Sequence, residues 1–302
     1  MTPRRLLWLV ICLDAAANAL ALGLPASAQT VNPVRGGPNG WIATLPFAPD
    51  GGLSILVSVA INGQAPQWWA VDTGSSECIV DRRVARKLGL ATRGSRQVHG
   101  AGKGTVPLDS IKGRVRLELA GQRIPTCDHY AAIDLSGVAT TGSRAIAGIL
   151  GYEFFSRYVV RIDFGAHTLQ LYDPAKFKYT GRGDTVALTI ERNIPRVAVR
   201  IRTAHRPEVV RQLIVDTGSE DAVDDVSVRR SSRSDQITVS TTGLGKPYEV
   251  VIGTLDTVRI GRSQFTAVPG VAADVGIVGN GIWSRFVSIF DFGHRRVFLE
   301  PR

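Results

Sequence analysis

The tetrapeptide Asp-Thr-Gly-Ser occurs twice in this chain of 302 residues, at 72–75 and at 216–219, each time at the end of an apolar run. At average residue usage a given tetrapeptide turns up about 0.004 times in a chain of this size, so a chance pair is on the order of one event in 10^5. The repeat extends further. Placing Gly148 on Gly276 aligns two stretches of eighteen residues without a gap, and nine positions match, among them Gly148/Gly276, Gly151/Gly279, Ser156/Ser284, Arg157/Arg285 and Asp163/Asp291. The chain is therefore an internal duplication. Two identical carboxylate motifs in the two halves of one chain suggest a site built across an approximate twofold axis. The offset is 144 residues at the tetrapeptides and 128 at the second segment, so the second copy is 16 residues shorter between its motifs.

Two carboxylates brought together across such an axis cannot both ionise cheaply, so one keeps a proton while its neighbour stays charged. Such a pair holds both the acid and the base needed to add water to an amide. Asp72 and Asp216 are accordingly the candidate catalytic residues: one takes a proton from the attacking water and the other donates to the scissile carbonyl oxygen, with no covalent intermediate. Gly74 and Gly218 suit tight loops that a side chain would crowd where they meet. Ser75 and Ser219 are expected to donate hydroxyl hydrogen bonds to the ionised aspartates, which lowers the pKa values and predicts an acidic optimum. No His or Cys cluster has zinc spacing and no Gly-rich phosphate loop is present, so neither a metal nor a cofactor is expected.

The hydrophobic pattern reads as all-β with a few short helices. Leu53 to Ile61 alternates, Asn62-Gly63 makes a turn, and Trp68 to Val71 runs into Asp72, a hairpin feeding the catalytic loop. Val197 to Ile201 followed by Arg211 to Val215 repeats that arrangement before Asp216. Apolar spacing from Val84 to Leu88, with Gly89 after it, predicts a short helix; its counterpart around Val226 to Ser232 is rich in Arg and Ser and carries a weaker pattern. Gly148 to Leu150 and Gly276 to Val278 are expected as apolar strands behind the two catalytic loops, and Ser156-Arg157 and Ser284-Arg285 as a helix or turn with a structural hydrogen bond. A peptide cleft also needs a mobile cover. Two Gly-rich stretches qualify: residues 97–106, with His99, Gly100 and Gly102, and residues 239–250, with Gly243, Leu244 and Gly245. His99 reads equally as an exposed loop residue.

Taken together, these motifs resemble the aspartic peptidase lobe of retropepsins and pepsins, over about residues 41 to 302. The segment from Val80 to Leu90 is similar to bacterial retropepsin-like aspartyl proteases, and Asp-Thr-Gly-Ser-Glu-Asp-Ala-Val from Asp216 is similar to the retroviral form of the motif. The resemblance implies two homologous retropepsin-like β-barrel lobes around a central cleft, with both catalytic aspartates on one chain. It implies that Thr73 and Thr217 hydrogen-bond across the lobe interface. It also implies a functional monomer, an intrachain pseudo-dimer, acting on a peptide or protein substrate. The first flap lacks the Tyr common in pepsin-like enzymes, so the likeness is closer to retropepsins with two flaps. The competing class is a noncatalytic exported peptide-binding or envelope scaffold that kept the fold; two complete tetrapeptides argue against it.

The start of the chain has a different character. Arg4 and Arg5 precede the apolar run from Leu6 to Leu13, and Ala26-Ser27-Ala28 supplies the small residues a signal peptidase reads. The expected organisation is a signal peptide at 1–28, an N-terminal segment at 29–40, lobe 1 at 41–175, a linker at 176–184 and lobe 2 at 185–302. The expected location is periplasmic or secreted. No segment after residue 30 is apolar for long enough to span a bilayer, so no stable membrane anchor is expected after cleavage. The formal net charge is +10, but the basic residues are scattered without interleaved aromatics, and nucleic-acid binding is not expected. After cleavage Cys78 and Cys127 are the remaining thiols, either bridged in an oxidising compartment or buried separately.

Overall fold

The computed structural model describes residues 12–13, 37–48, 52–100, 104–121, 123–138, 144–203, 206–231, 236–243 and 248–302. The chain adopts an all-β, retropepsin-like architecture with short helices. The expected signal-peptide cleavage site and most of residues 1–40 lie outside the described residues; a two-residue strand, Cys12–Leu13, pairs with Thr242 and Gly243. Among the described residues no helix is long and apolar enough to cross a membrane.

Each half builds the same local unit. In the first, Leu56–Ile61 turns through Asn62 and Gly63, both at positive φ, and pairs antiparallel with Gln67–Val71. The strand Ile146–Leu150 then lies parallel to Gln67–Val71, with Leu150 beside Val71, and antiparallel to Cys78–Asp81. In the second half Ile194–Arg202 pairs antiparallel with Val209–Val215, and Ile277–Val278 lies parallel to the latter, with Val278 beside Val215. Ile146–Leu150, flanked by strands on both sides, is apolar and buried along its whole length. The expected strand from Leu53 starts only at Leu56, because Leu53 and Ser54 form hydrogen bonds with the second half instead.

The helix after the first Asp-Thr-Gly-Ser loop spans Arg82–Lys87, where the Asp81 side chain caps the amides of Arg83 and Val84. Gly89, at φ +63°, ends it. In the second half Asp225 caps a single 3-10 turn, Val226–Arg230, in keeping with the weaker pattern there. Asp81 and Asp225 are thus equivalent caps at the 144-residue offset, a pair the motif comparison did not single out. Ser156 Oγ donates to Glu153 O within the helix Tyr152–Arg157, and Arg285 Nε donates to Gly281 O, so both recurrent Ser-Arg pairs make local structural bonds.

A six-stranded antiparallel sheet joins the halves. Its order is Trp41–Ala48, Thr168–Tyr172, Val159–Asp163, Phe286–Asp291, Arg296–Pro301 and Asp184–Glu191. The two central strands are the ends of the duplicated eighteen-residue segments. Above them Phe155 packs edge-on against Phe290 and beside Phe292, so one hydrophobic cluster continues from half to half. The expected linker, 176–184, holds no strand until Asp184.

Cys78 and Cys127 are joined by a disulfide, with Cα atoms 6.4 Å apart and a sequence separation of 49. It ties the strand Cys78–Asp81, which leaves the first Asp-Thr-Gly-Ser loop, to the segment entering Tyr130–Ile133, with which that strand pairs in parallel. Closing a loop of this length stabilises the fold by about 4 kcal/mol in the chain-entropy view. Replacing both cysteines by serine should therefore lower the urea midpoint of the oxidised protein markedly. An unchanged midpoint would show that the bridge contributes nothing to the native state.

Candidate active site

The two tetrapeptides meet at the junction of the halves. Asp72 N–H donates to Leu150 O and Asp216 N–H to Val278 O, each at 3.0 Å, so the floor strands fix where both loops begin. This is the position expected for Gly148–Leu150 and Gly276–Val278. Thr73 and Thr217 then exchange bonds across the junction. Thr73 N–H donates to Thr217 Oγ1 at 3.0 Å and Thr217 N–H to Thr73 Oγ1 at 2.9 Å. Each hydroxyl in turn donates to the opposite half, Thr73 Oγ1 to Val215 O at 2.6 Å and Thr217 Oγ1 to Val71 O at 2.9 Å. Both threonines are buried, so every donor and acceptor removed from this ring leaves an unmet partner at about 1–3 kcal/mol.

The glycines permit this approach. A Cβ on Gly74 would stand 2.6 Å from Asp216 Cγ, and one on Gly218 would stand 2.6 Å from Asp72 Cγ. Each carboxylate therefore packs flat on the backbone of the opposite loop. Gly74 N–H donates to Asp72 Oδ1 at 2.8 Å; Gly218 and Ser219 N–H donate to Asp216 Oδ1 at 2.8 and 3.1 Å. Oδ2 of each aspartate is buried and accepts nothing from the described residues while both groups are ionised. The two side chains lie within hydrogen-bonding reach of each other, so a single proton between them supplies the missing donor.

Asp72 and Asp216 are 1% and 0% exposed. Burial pushes Asp72 up to about 7, against the opposing effect of its bonds to Asp216 and to the Gly74, Ser75 and Gly218 amides. Burial raises Asp216 well above the usual carboxylate range, and the neighbouring Asp72 charge raises it further. Two buried carboxyls that share a proton titrate as a pair. This corrects two expectations. The serine hydroxyls do not reach the aspartates: Ser75 Oγ donates to Glu77 O at 2.8 Å, and Ser219 Oγ accepts from Asp221 N–H at 3.2 Å. Their short side chains serve their own loops, and backbone amides solvate the carboxylates instead. The acidic optimum built on those hydroxyls gives way to a pair that holds its proton towards neutral pH, because desolvation outweighs the amide bonds.

The expected flaps are hairpins. Thr92–Val98 pairs with Val106–Ile111, Val98 facing Val106, and His99 and Gly100 follow at the turn; Gly102 lies outside the described residues. Ile237–Gly243 pairs with Tyr248–Ile260, so Gly243 ends a strand, while Leu244 and Gly245 lie outside the described residues. Arg96, on the first hairpin, forms an ion pair with Glu77, two residues beyond Ser75. Among the described residues no group of three or more His, Cys, Asp or Glu side chains is placed to hold a metal ion.

Three polar residues at the junction escaped the motif reading. Glu220 accepts from Ser54, Asn280 Nδ2 donates at 2.8 Å to both Leu53 O and Thr217 O, and Asn193 Nδ2 donates to Ser76 O at 3.3 Å. The signal for two of them was a departure from the repeat: Glu220 stands where the first half has Ser76, and Asn280 where it has Tyr152.

Residues 57–154 match the model of a family described as aspartyl protease. The matched stretch contains the first tetrapeptide and its floor strand, and it supports an aspartyl protease family for this chain. No curated protein matches the chain.

Proposed function

We propose that this protein is an aspartic endopeptidase in which Asp72 and Asp216 activate water against a peptide bond. The observation that carries this reading is the reciprocal seating of the two tetrapeptide loops, with each carboxylate on the glycine of the other. The monoprotonated pair binds a water between its oxygens. The ionised carboxylate takes the water's proton as it attacks the carbonyl carbon, and the protonated partner donates to the carbonyl oxygen, giving a neutral tetrahedral diol. The protonated carboxyl then donates to the amide nitrogen while the ionised one takes a proton from a diol hydroxyl, so the C–N bond breaks to give an amine and a carboxylic acid and the pair again holds one proton. The loops need no rearrangement during this cycle, since the threonine ring holds them together throughout.

On this reading the chain is two lobes, 41–175 and 185–302, joined by 176–184, and it acts as a monomer because both loops belong to one chain. The substrate is a peptide or protein, with His99, Gly100 and Gly102 on one flap and Gly243, Leu244 and Gly245 on the other covering it. Export to a periplasmic or secreted location accords with the Cys78–Cys127 bridge, which persists in oxidising compartments. The test is cleavage of a diverse peptide library by the protein from residue 29 onward between pH 4 and 9, with a chelator and a statine-type inhibitor in parallel arms. Cleavage blocked by the inhibitor, indifferent to the chelator and constant per mole on dilution is expected. No cleavage by the folded protein would remove the endopeptidase reading in favour of a binding scaffold, and dependence on dilution would remove the monomer.

A further inference from the structure

A third carboxylate is buried in the sheet that carries Asp216. Asp224 ends the two-residue strand Val223–Asp224, which lies antiparallel to the floor strand Ile277–Val278 and parallel to Ser263–Val271, and it is 2% exposed. A buried carboxylate is costly to keep ionised, and such groups cluster where protons are moved. The duplication shows that the fold has an apolar alternative at this place. Ile149 and Ile277 are equivalent in the aligned segments; the residue opposite Ile149 on the neighbouring strand is Ile79, and the residue opposite Ile277 is Asp224. One half fills the position with an aliphatic side chain and the other with a charge.

Asp224 and Asp216 share a face of that sheet. Asp224 stands opposite Ile277, and Ile277 stands beside Ile214 in the parallel strand that runs on to Asp216. Ile214 and Asp216 are two residues apart, so strand alternation turns them to the same side. Arg211 and Asp225 fall on the other side, where they pair at 3.6 Å. Two strand spacings and two residues separate the Asp224 and Asp216 backbones, a distance of about 12 Å. Burial and the Asp72 charge raise Asp216 most, and the Asp224 charge raises it further. The other charged groups close by, among the described residues, are engaged locally. Arg196, beside Ile214 in register, donates to Gln212 O at 3.2 Å; Glu220 accepts from Ser54; and Asp221 lies in the loop with its N–H on Ser219 Oγ. Asp72 belongs to the first half and meets Asp216 across the junction, so the Asp224 charge bears first on Asp216.

We propose that Asp224 is a positioning residue that breaks the equivalence of the two aspartates: its carboxylate keeps the shared proton on Asp216, so that Asp216 donates to the scissile carbonyl oxygen and Asp72 takes the proton of the attacking water. The assignment of acid and base rests on the endopeptidase reading of the pair. Two like carboxyls in like surroundings have no preference for either site, and a negative charge on one side favours protonation there. On the same ground Asp224 sets the alkaline limit of the site, because the last proton of the pair leaves from Asp216.

The test compares the unsubstituted protein with Asp224→Asn and Asp224→Val, each carrying carbon-13 at the aspartate carboxyl carbons. The Asp72 and Asp216 signals are identified by their loss in Asp72→Asn and Asp216→Asn, and both are followed by NMR across the pH range in which kcat/KM is measured. Between the two limbs of the profile the Asp216 carbon of the unsubstituted protein is expected at the protonated position and the Asp72 carbon at the ionised one. Removing the Asp224 charge should lower the alkaline limb by about one unit, the effect of a unit charge at about 12 Å in a protein medium, and the acid limb by less. The separation of the two carbons should narrow by about half. Asn keeps the shape of the side chain and Val brings in an aliphatic group like that of Ile79, so the shift should appear in either. An ionised Asp216 carbon in the unsubstituted protein overturns the proposal without any variant. Limbs that stay in place, or that fall equally, also overturn it and leave the endopeptidase reading standing if cleavage persists. Carbons that move as expected in a protein that cleaves nothing would sustain the role of Asp224 in holding the proton and remove the endopeptidase reading.

Discussion

Asp72→Asn and Asp216→Asn each lower kcat by about 10³-fold or more while the protein stays folded. The loops explain why the fold survives. The Asn Oδ1 still accepts the amide of Gly74 or Gly218, as the aspartate does at 2.8 Å, and the Asn Nδ2 places a donor where Oδ2 of the partner otherwise has none. The threonine ring and the floor strands are untouched. What disappears is the ability to trade one proton between two like oxygens, worth about 4 kcal/mol of barrier for a 10³-fold loss. In the intact protein turnover should fall as pH drops through about 7, the region to which burial lifts Asp72, because below it both carboxyls are protonated and no base remains. Single-turnover cleavage from pH 4 to 9 with circular dichroism on the same samples checks both parts. Either variant retaining near-full activity, or an acid limb at the ordinary carboxylate value near 3.8, would contradict a shared, buried pair.

The same substitutions should make the protein more stable at pH 8, and that gain should vanish at pH 4. A carboxyl whose pKa is higher folded than unfolded holds its proton in the native state while the unfolded chain releases it. Stability is therefore complete below the unfolded value of 3.8, is lost as pH rises to about 7, and stays lost above. Asn has no proton to lose and avoids the penalty. With about 1.4 kcal/mol for each unit, the gain for Asp72→Asn at pH 8 is on the order of 2–4 kcal/mol. In a protein of this size that is roughly a 5–10 °C rise in Tm. Scanning calorimetry at pH 4 and pH 8 decides it. A gain of the same size at both pH values would assign the effect to packing, and a loss at pH 8 would mean that the native state favours the charged form.

Much of the architecture was legible because duplication makes a sequence its own comparison. The hairpins before Asp72 and Asp216, the floor strands from Gly148 and Gly276 and the helix after Asp81 all follow from local periodicity and turn chemistry, which act over a few residues. The hairpins Thr92–Val98 with Val106–Ile111 and Ile237–Gly243 with Tyr248–Ile260 were readable to the same degree, since glycine-broken alternation is also local. The serines show where that reasoning stops. A hydroxyl beside a carboxylate in the sequence suggests a bond, yet Ser75 and Ser219 turn to their own backbones. Two or three residues of loop geometry decide the direction of so short a side chain.

By itself, then, the sequence determined the two copies, their β-rich units, the paired aspartates and the glycines beside them, because each is written in neighbouring residues or in the repeat. Only the tertiary structure decided the protonation behaviour of Asp72 and Asp216, since desolvation depends on everything packed around a carboxyl. It also decided the Cys78–Cys127 bridge, which depends on a distance between residues 49 apart, and the Glu220 and Asn280 contacts to Ser54 and Leu53, which depend on how the second copy seats against the first. Such long-range terms arise only once the chain has closed on itself.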